Sequence, residues 1–368
     1  KSNLFDKTKD EGLSRFGIKE LSLGRVLGRG GFCVVSEVQG INLGSAYNET
    51  ISQKRSPSII QKEYHTREAM AQRCIRDGDA RYAIKKMSTE CRSSPGLFLK
   101  GTIDLAVEAR FLAVMAHPHL IKMRAVASVD PFHEDYFIVL DRLYDTLETK
   151  ARKWKSKEKK GKGIRGSLLG GKKKLEEIKS EKIISAHDIS SAMQYMHSLN
   201  IIYRDLKPEN IGFDVRGEVK IFDLGLAKEL NKLDKENDGT YKMTGFTGSL
   251  RYMAPEVAKS LSYNLSADVY SFGMLFWHIM ENESPFNSYS CKMHEDLVVN
   301  KGYRPVCHKS WPKEWSDLIK KAWSLNHKKR PSFDEIVHDL SREVDKLITE
   351  EITDDLDISI RSFKGITK

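Results

Sequence analysis

The stretch from Ile202 to Gly225 confines this chain more than any other. It reads Ile202-Tyr203-Arg204-Asp205-Leu206-Lys207-Pro208-Glu209-Asn210 and, after ten intervening residues, Ile221-Phe222-Asp223-Leu224-Gly225. Two carboxylates and one amide, Asp205, Asp223 and Asn210, recur at tight spacing, and Lys207 stands two residues after the first. Hard oxygen ligands of this kind suit Mg²⁺, which is held by one or two protein groups together with substrate phosphates. Phosphoryl transfer needs a group that orients the attacking hydroxyl, metal ions on the phosphates, and a cation on the transferred oxygens. Asp205, the pair Asn210 and Asp223, and Lys207 supply one candidate for each role. An isolated Asp-x-Lys is more often a polar turn between strands, but the whole run in this order is not.

Other segments carry their own patterns. Residues 21–38 alternate apolar side chains on both sides of Gly28-Arg29-Gly30-Gly31-Phe32-Cys33, as in a hairpin. Such glycines let backbone N–H groups approach phosphate oxygens without Cβ interference, although Gly28-x-Gly30 alone fits an ordinary turn. Residues 80–87 read as a strand carrying Lys85 on one face and Lys86 on the other. Residues 103–115 read as a helix with Glu108, Leu112 and Met115 on one face. Residues 120–129 and 136–140 read as strands, and residues 183–199 as the helix that delivers the chain to Tyr203. Residues 266–277 are apolar nearly all round, which predicts a buried helix capped by Ser266. Residues 311–324 and 331–347 read as helices, and the tail from Thr349 as acidic and loose.

Two segments interrupt this order. Residues 40–79 are Ser/Asn/Gln-rich at first and helical in composition from 59 to 76, an insertion with one helix. Residues 150–182 hold 14 Lys and Arg against 4 Glu, and so account for the whole net charge of +10. The rest is balanced, which argues against a uniformly basic nucleic-acid-binding face. The basic segment, with Trp154 embedded, is predicted to be too charged to bury and to form a solvated loop.

The chain has 368 residues, 40% hydrophobic and 30% charged, enough for one large domain or two lobes. No run of 18 apolar residues predicts a transmembrane helix. Five scattered Cys, with no Cys-x-x-Cys, read as reduced thiols in an intracellular protein, cytoplasmic or nuclear, without a zinc site. The opening Lys1-Ser2-Asn3, without Met, reads as the start of a fragment of a longer protein.

The motifs together resemble a eukaryotic protein kinase domain. The resemblance covers about residues 21–347 apart from the two insertions. Its carriers are the glycine loop, Ala83-Ile84-Lys85, Glu108 with His117-Pro118, the Tyr203-Arg204-Asp205 run, Asp223-Leu224-Gly225, Ala254-Pro255-Glu256, Asp268 and Arg330. Asp268-Val269-Tyr270-Ser271-Phe272-Gly273 and Arg330-Pro331-Ser332-Phe333 resemble most the tyrosine-kinase-like branch of serine/threonine kinases. Three positions depart from the pattern: Tyr203 stands for His, Leu224 for Phe, and Cys33 for the third glycine.

The resemblance implies an α+β, bilobal kinase fold: a small antiparallel-sheet lobe with one regulatory helix, and a larger, mainly helical lobe. The implied boundaries are a lead-in at 1–20, a small lobe at 21–141 with its insertion at 40–79, a large lobe at 142–347 with its basic insertion at 150–182, and an acidic tail at 348–368. It implies transfer of the ATP γ-phosphoryl group to Ser or Thr of protein substrates, with ATP and Mg²⁺ as cofactors. Lys85, braced by Glu108, would hold the α/β-phosphates. Asp205 and Lys207 would act at the transferred group, and Asn210 and Asp223 on the metal. Leu27, Gly28, Gly30, Val35, Ala83, Lys85, Leu140, Leu143 and Gly212 would surround the nucleotide, with Leu140 as gatekeeper and Gly212 leaving the adenine floor open. Met123, Leu112, Leu224 and Tyr203 would form a stacked column standing on Asp268. Arg204 would receive a phosphate from a mobile activation segment, at Thr244 or Thr247, with Thr240 and Tyr241 as further acceptors. Glu256 would pair with Arg330. The alternative is a pseudokinase scaffold, and the basic insertion would contact an acidic partner or a membrane surface.

Overall fold

In the computed structural model, residues 13–44, 57–162 and 171–366 are described. Parts of the predicted lead-in, of the first insertion (45–56) and of the basic insertion (163–170) lie outside the described residues. The chain divides into two compact units, residues 1–144 with 212–229, and residues 145–211 with 230–368. The sequence reading put the first boundary after Asp141 and left 212–229 in the second lobe.

The first unit is built on a six-stranded sheet in the order β1-β7-β8-β6-β3-β2. Its strands are β1 (Ser14–Phe16), β2 (Leu21–Arg29), β3 (Cys33–Ile41), β6 (Tyr82–Met87), β7 (Met123–Ala127) and β8 (Phe137–Asp141). All pairings are antiparallel except that of β1, which runs parallel to β7 with Ser14 opposite Ala125. The predicted lead-in therefore supplies an edge strand. The first insertion explains why it is held. Its helix α1 (Pro57–Gln72) sends Arg67 to within 2.5 Å of Glu20 and over the Phe16 ring, and Glu63 accepts a hydrogen bond from Arg15 N. The insertion ends in a short hairpin, β4 (Ile75–Arg76) with β5 (Asp79–Ala80), where sequence composition had continued the helix to residue 76. Helix α2 (Pro95–Val114) begins eight residues before its predicted start, with Pro95 at the first turn, where the absent N–H costs nothing.

The second unit is helical. Helices α3 (Leu147–Gly161) and α4 (Gly171–Ser198) hold nearly all the described residues of the predicted basic loop. The correction has a plain cause. Leu147, Ala151, Trp154 and Gly161 fall on one face of α3 and are buried there, while the lysines occupy the other. Trp154 is fully buried and its indole N–H donates to Glu181. Lys182, also buried, donates to Glu158 at 2.6 Å and to the Met280 carbonyl at 3.1 Å. Helix α5 (Ser266–Glu281) is buried along nearly its whole length. Its start is bound by Asn264, whose Oδ1 accepts from Ser266 N and Oγ, so Ser266 is the first helical residue and not the cap. Helix α6 spans Lys313–Ala322. Helix α7 (Phe333–Ile366) passes the predicted stop at 347, because residues 348–364 contain neither Gly nor Pro to end it.

Candidate active site

The predicted site residues fall into two clusters, one in each unit. In the first, strand register decides which side chains share a face, because residues directly opposite in an antiparallel pair point the same way. Val35 is opposite Lys85, and Ala83 is opposite Leu140, so these four line one face of the sheet. Lys85 Nζ lies 2.6 Å from Glu108 Oε2 and 3.0 Å from Asp223 Oδ1. Burial disfavours the ammonium, but the Glu108 and Asp223 carboxylates outweigh it and raise the Lys85 pKa, so the amine stays charged at neutral pH. Asp223 is half exposed and sits at φ 62°, a left-handed conformation uncommon outside glycine and costly enough to need a cause.

The glycine loop joins β2 and β3, with Gly28 opposite Val35 and Gly30 N donating to the Cys33 carbonyl. A Cβ added at Gly28 or Gly31 would meet nothing within 4 Å, which leaves free space over the loop. Leu27 is partly exposed there. Cys33 turns into the core, and burial pushes its thiol up to about 12, so it is inert at the third-glycine position. Gly212 corrects the reading of an open floor. A Cβ at that position would lie 2.4 Å from Leu143 Cδ1, so the Leu143 side chain already covers it.

In the second unit, Asp205 is held from three sides. Lys207 Nζ approaches its Oδ2 at 2.7 Å, Asn210 Nδ2 donates to the same oxygen at 2.9 Å, and Ser249 Oγ donates to Oδ1 at 2.8 Å. Lys207 also donates to Ser249 Oγ at 2.9 Å, closing a ring of three residues. Asn210 spends its amide nitrogen on Asp205, which leaves its carbonyl oxygen as the acceptor for a cation. Among the described residues no three His, Cys, Asp or Glu are grouped to hold a metal. No such group is needed for an ion that is carried largely by substrate phosphates.

Asp268 fixes the backbone of this loop. Its two oxygens accept from Tyr203 N and Arg204 N, both at 2.8 Å, and His197 Nε2 lies 2.9 Å from Oδ2. Arg204 is left-handed at φ 73°, and the carboxylate holds it there. Gly248, at φ 97°, is required twice, since a Cβ would also lie 2.2 Å from the Arg204 carbonyl. Neither His197 nor Gly248 was assigned a role from sequence, though the glycine stands in the segment before Ala-Pro-Glu. Met123, Leu112, Leu224 and Tyr203 are each buried. Arg330 is bidentate on Glu256, at 2.5 and 2.9 Å.

The activation segment holds two of its candidate acceptors in local contacts. Tyr241 pairs with Tyr263 and Lys235, and Thr240 is buried with its hydroxyl on Glu236 and Asp238, so neither offers an accessible acceptor. Thr244 is exposed. Its carbonyl accepts from Tyr263 Oη at 2.8 Å, and Arg204 Nη1 reaches the same phenol at 3.5 Å. Thr247 is half-buried and donates to the Thr244 carbonyl.

A sheet lysine ion-paired to a helix glutamate and to Asp223, in a chain that also carries an Asp–Lys–Ser ring with its asparagine, defines the protein kinase class. The protein kinase domain family matches residues 67–340, more than half of the chain, and the chain belongs to it. It is similar to the serine/threonine-protein kinase STY46 of Arabidopsis thaliana, at 36% identity over 45% of this chain and 28% of the relative. It is also similar to the serine/threonine-protein kinase VIK of the same plant, at 39% over 43% and 36%. The dual specificity protein kinase shkB of Dictyostelium discoideum is 29% identical over 69% of this chain and 35% of its own length. The chain thus spans about a third of the length of these relatives. Both plant relatives are serine/threonine kinases and fit the tyrosine-kinase-like branch.

Proposed function

We propose that this domain transfers the γ-phosphoryl group of ATP to Ser and Thr hydroxyls of protein substrates. The observation that carries the reading is the Asp205–Lys207–Ser249 ring, because it fixes a carboxylate in place with a lysine beside it. Asp205 orients the attacking hydroxyl and accepts its proton. Lys207 places positive charge by the transferring oxygens. Lys85, held by Glu108, binds the α/β-phosphates, and Val35, Ala83, Leu140 and Leu143 enclose the adenine. Asn210 and Asp223 would hold Mg²⁺, which supplies neutralisation of phosphate charge. Thermal stabilisation by ATP tests this half of the reading. ATP with Mg²⁺ is expected to raise Tm by several degrees, ATP with EDTA by much less, and Asp223→Ala to remove the difference. Equal shifts with and without Mg²⁺ would contradict the metal assignment.

A phosphate on Thr244 would meet Arg204, with Tyr263 already between them as a hydrogen-bonding bridge. The exposed lysines at the adjoining ends of α3 and α4, among them Lys159, Lys160, Lys172 and Lys173, would face an acidic protein or an anionic membrane surface. No helix among the described residues is long and apolar enough to cross a membrane. A cytoplasmic or nuclear setting fits the free thiols.

A further inference from the structure

The first unit carries a second concavity, of about 490 Å³, that shares only Leu143 with the site described above. Seven Arg and Lys side chains line it against four Asp. Three strand ends build its rim. Arg142 N donates to the Arg81 carbonyl at 2.9 Å, and Asp141 N to the Lys122 carbonyl at 3.0 Å. Arg81 and Lys122 therefore flank the end of β8 on either side, roughly 10 Å apart at two strand spacings.

The charges between them are already matched. Arg124 takes both oxygens of Asp141 at 2.7 Å, and Arg142 takes Glu37 at 3.0 Å and Asp79 at 3.2 Å. On the other wall, Lys220 and Arg216 are neutralised by Asp214 and Glu218. Arg81 and Lys122 are left with no side-chain ion pair or hydrogen bond among the described residues, and Arg76 has only Asp77 at 3.5 Å. A guanidinium and an ammonium converging on one hollow lack only a dianion, and a phosphomonoester supplies the oxygens for both.

We propose that this hollow binds the phosphorylated side chain of a peptide, as a docking site separate from catalysis. Pro118 and the exposed Val215 offer apolar seats for the residues next to the phosphate. Nucleic acid fits less well, because the only Phe, Tyr or Trp among the lining residues, Tyr144, already carries the Arg142 guanidinium 4.5 Å from its centre. A membrane also fits less well. Leu120 and Ile121 are buried, and Val215 is the one strongly exposed Leu, Ile or Val in the lining, too little apolar surface to enter a bilayer.

The test is fluorescence anisotropy with two labelled pools of short degenerate peptides, one with a fixed central phosphoserine and one with serine. The phosphorylated pool is expected to bind at least about tenfold more tightly, as one charge-assisted bidentate contact allows. Arg81→Ala with Lys122→Ala should erase that preference, and Arg81→Lys should keep most of it. ATP-dependent peptide phosphorylation should remain unchanged in all of these. Should the double variant fail to fold, the exposed Lys122→Glu alone should cut the preference severalfold. Equal binding of the two pools, no binding of either, or a preference that survives in the variants would overturn the proposal. So would vesicles containing a phosphoinositide that displace the peptide and bind more tightly than it.

Discussion

Leu143 occupies the space that a side chain at Gly212 would need, with its Cδ1 only 2.4 Å from the position of an added Cβ and its own Cβ and Cγ at 3.2 Å. The two positions therefore share one volume. Gly212→Leu is expected to displace Leu143 and to weaken ATP binding by roughly tenfold, the scale of an overpacked site. Leu143→Ala alone should weaken it less, by lost contact beneath the base. The double variant should recover most of the affinity. Additive losses in calorimetric titrations of the four proteins would refute the shared volume.

Asp268 is the next test. Replacing it by Ala strands the buried N–H of Tyr203 and the part-buried N–H of Arg204, and an orphaned donor costs roughly 1–3 kcal/mol when buried. Urea unfolding should show a loss of about 2–5 kcal/mol on that basis. Arg204 would also be released from its left-handed conformation, so turnover should fall even at temperatures where the variant is folded.

Gly248→Ala should separate catalysis from nucleotide binding. The added methyl group would strike the Arg204 carbonyl beside Asp205. Turnover is expected to fall roughly a hundredfold, the usual cost of a misplacement near one ångström. ATP affinity, measured by titration, should stay within about twofold, because the nucleotide contacts belong to other residues.

Stability should also fall in mild acid. Burial lowers the His278 pKa from 6.5 to about 4, and its Nδ1 lies 2.8 Å from Tyr252 Oη. Between those values the unfolded chain binds a proton that the folded chain refuses. Stability is thus complete above pH 6.5 and is lost as pH falls toward 4, by roughly 2–3 kcal/mol for this residue. Thermal melts at pH 7 and pH 5 should show a smaller drop for His278→Gln than for the unaltered protein. An equal drop would assign the acid sensitivity elsewhere.

Local chemistry was the legible part of this chain. The run from Tyr203 to Asp223 announces its donors because phosphate and metal chemistry admit few substitutes, and the buried helix around Asp268 is visible in its nearly all-apolar sequence. What escaped depends on partners distant in sequence. Trp154 is buried because Leu147 and Ala151 share its helix face and Glu181 meets its N–H, whereas a charge count over the same residues predicts a solvated loop. Ser14–Phe16 forms a strand because Arg67, about fifty residues away, closes over Phe16. Gly212 looked like a gap because the residue that fills it, Leu143, lies on another segment.

Phosphate transfer from radiolabelled ATP to a mixture of Ser-, Thr- and Tyr-containing peptides tests the central claim most directly. With Mg²⁺ present, label is predicted on Ser and Thr and not on Tyr, and Asp205→Asn should lower the rate by at least about a thousandfold while still binding ATP. No transfer by the unaltered protein under conditions where it binds ATP and Mg²⁺, or undiminished transfer by Asp205→Asn, would contradict the account.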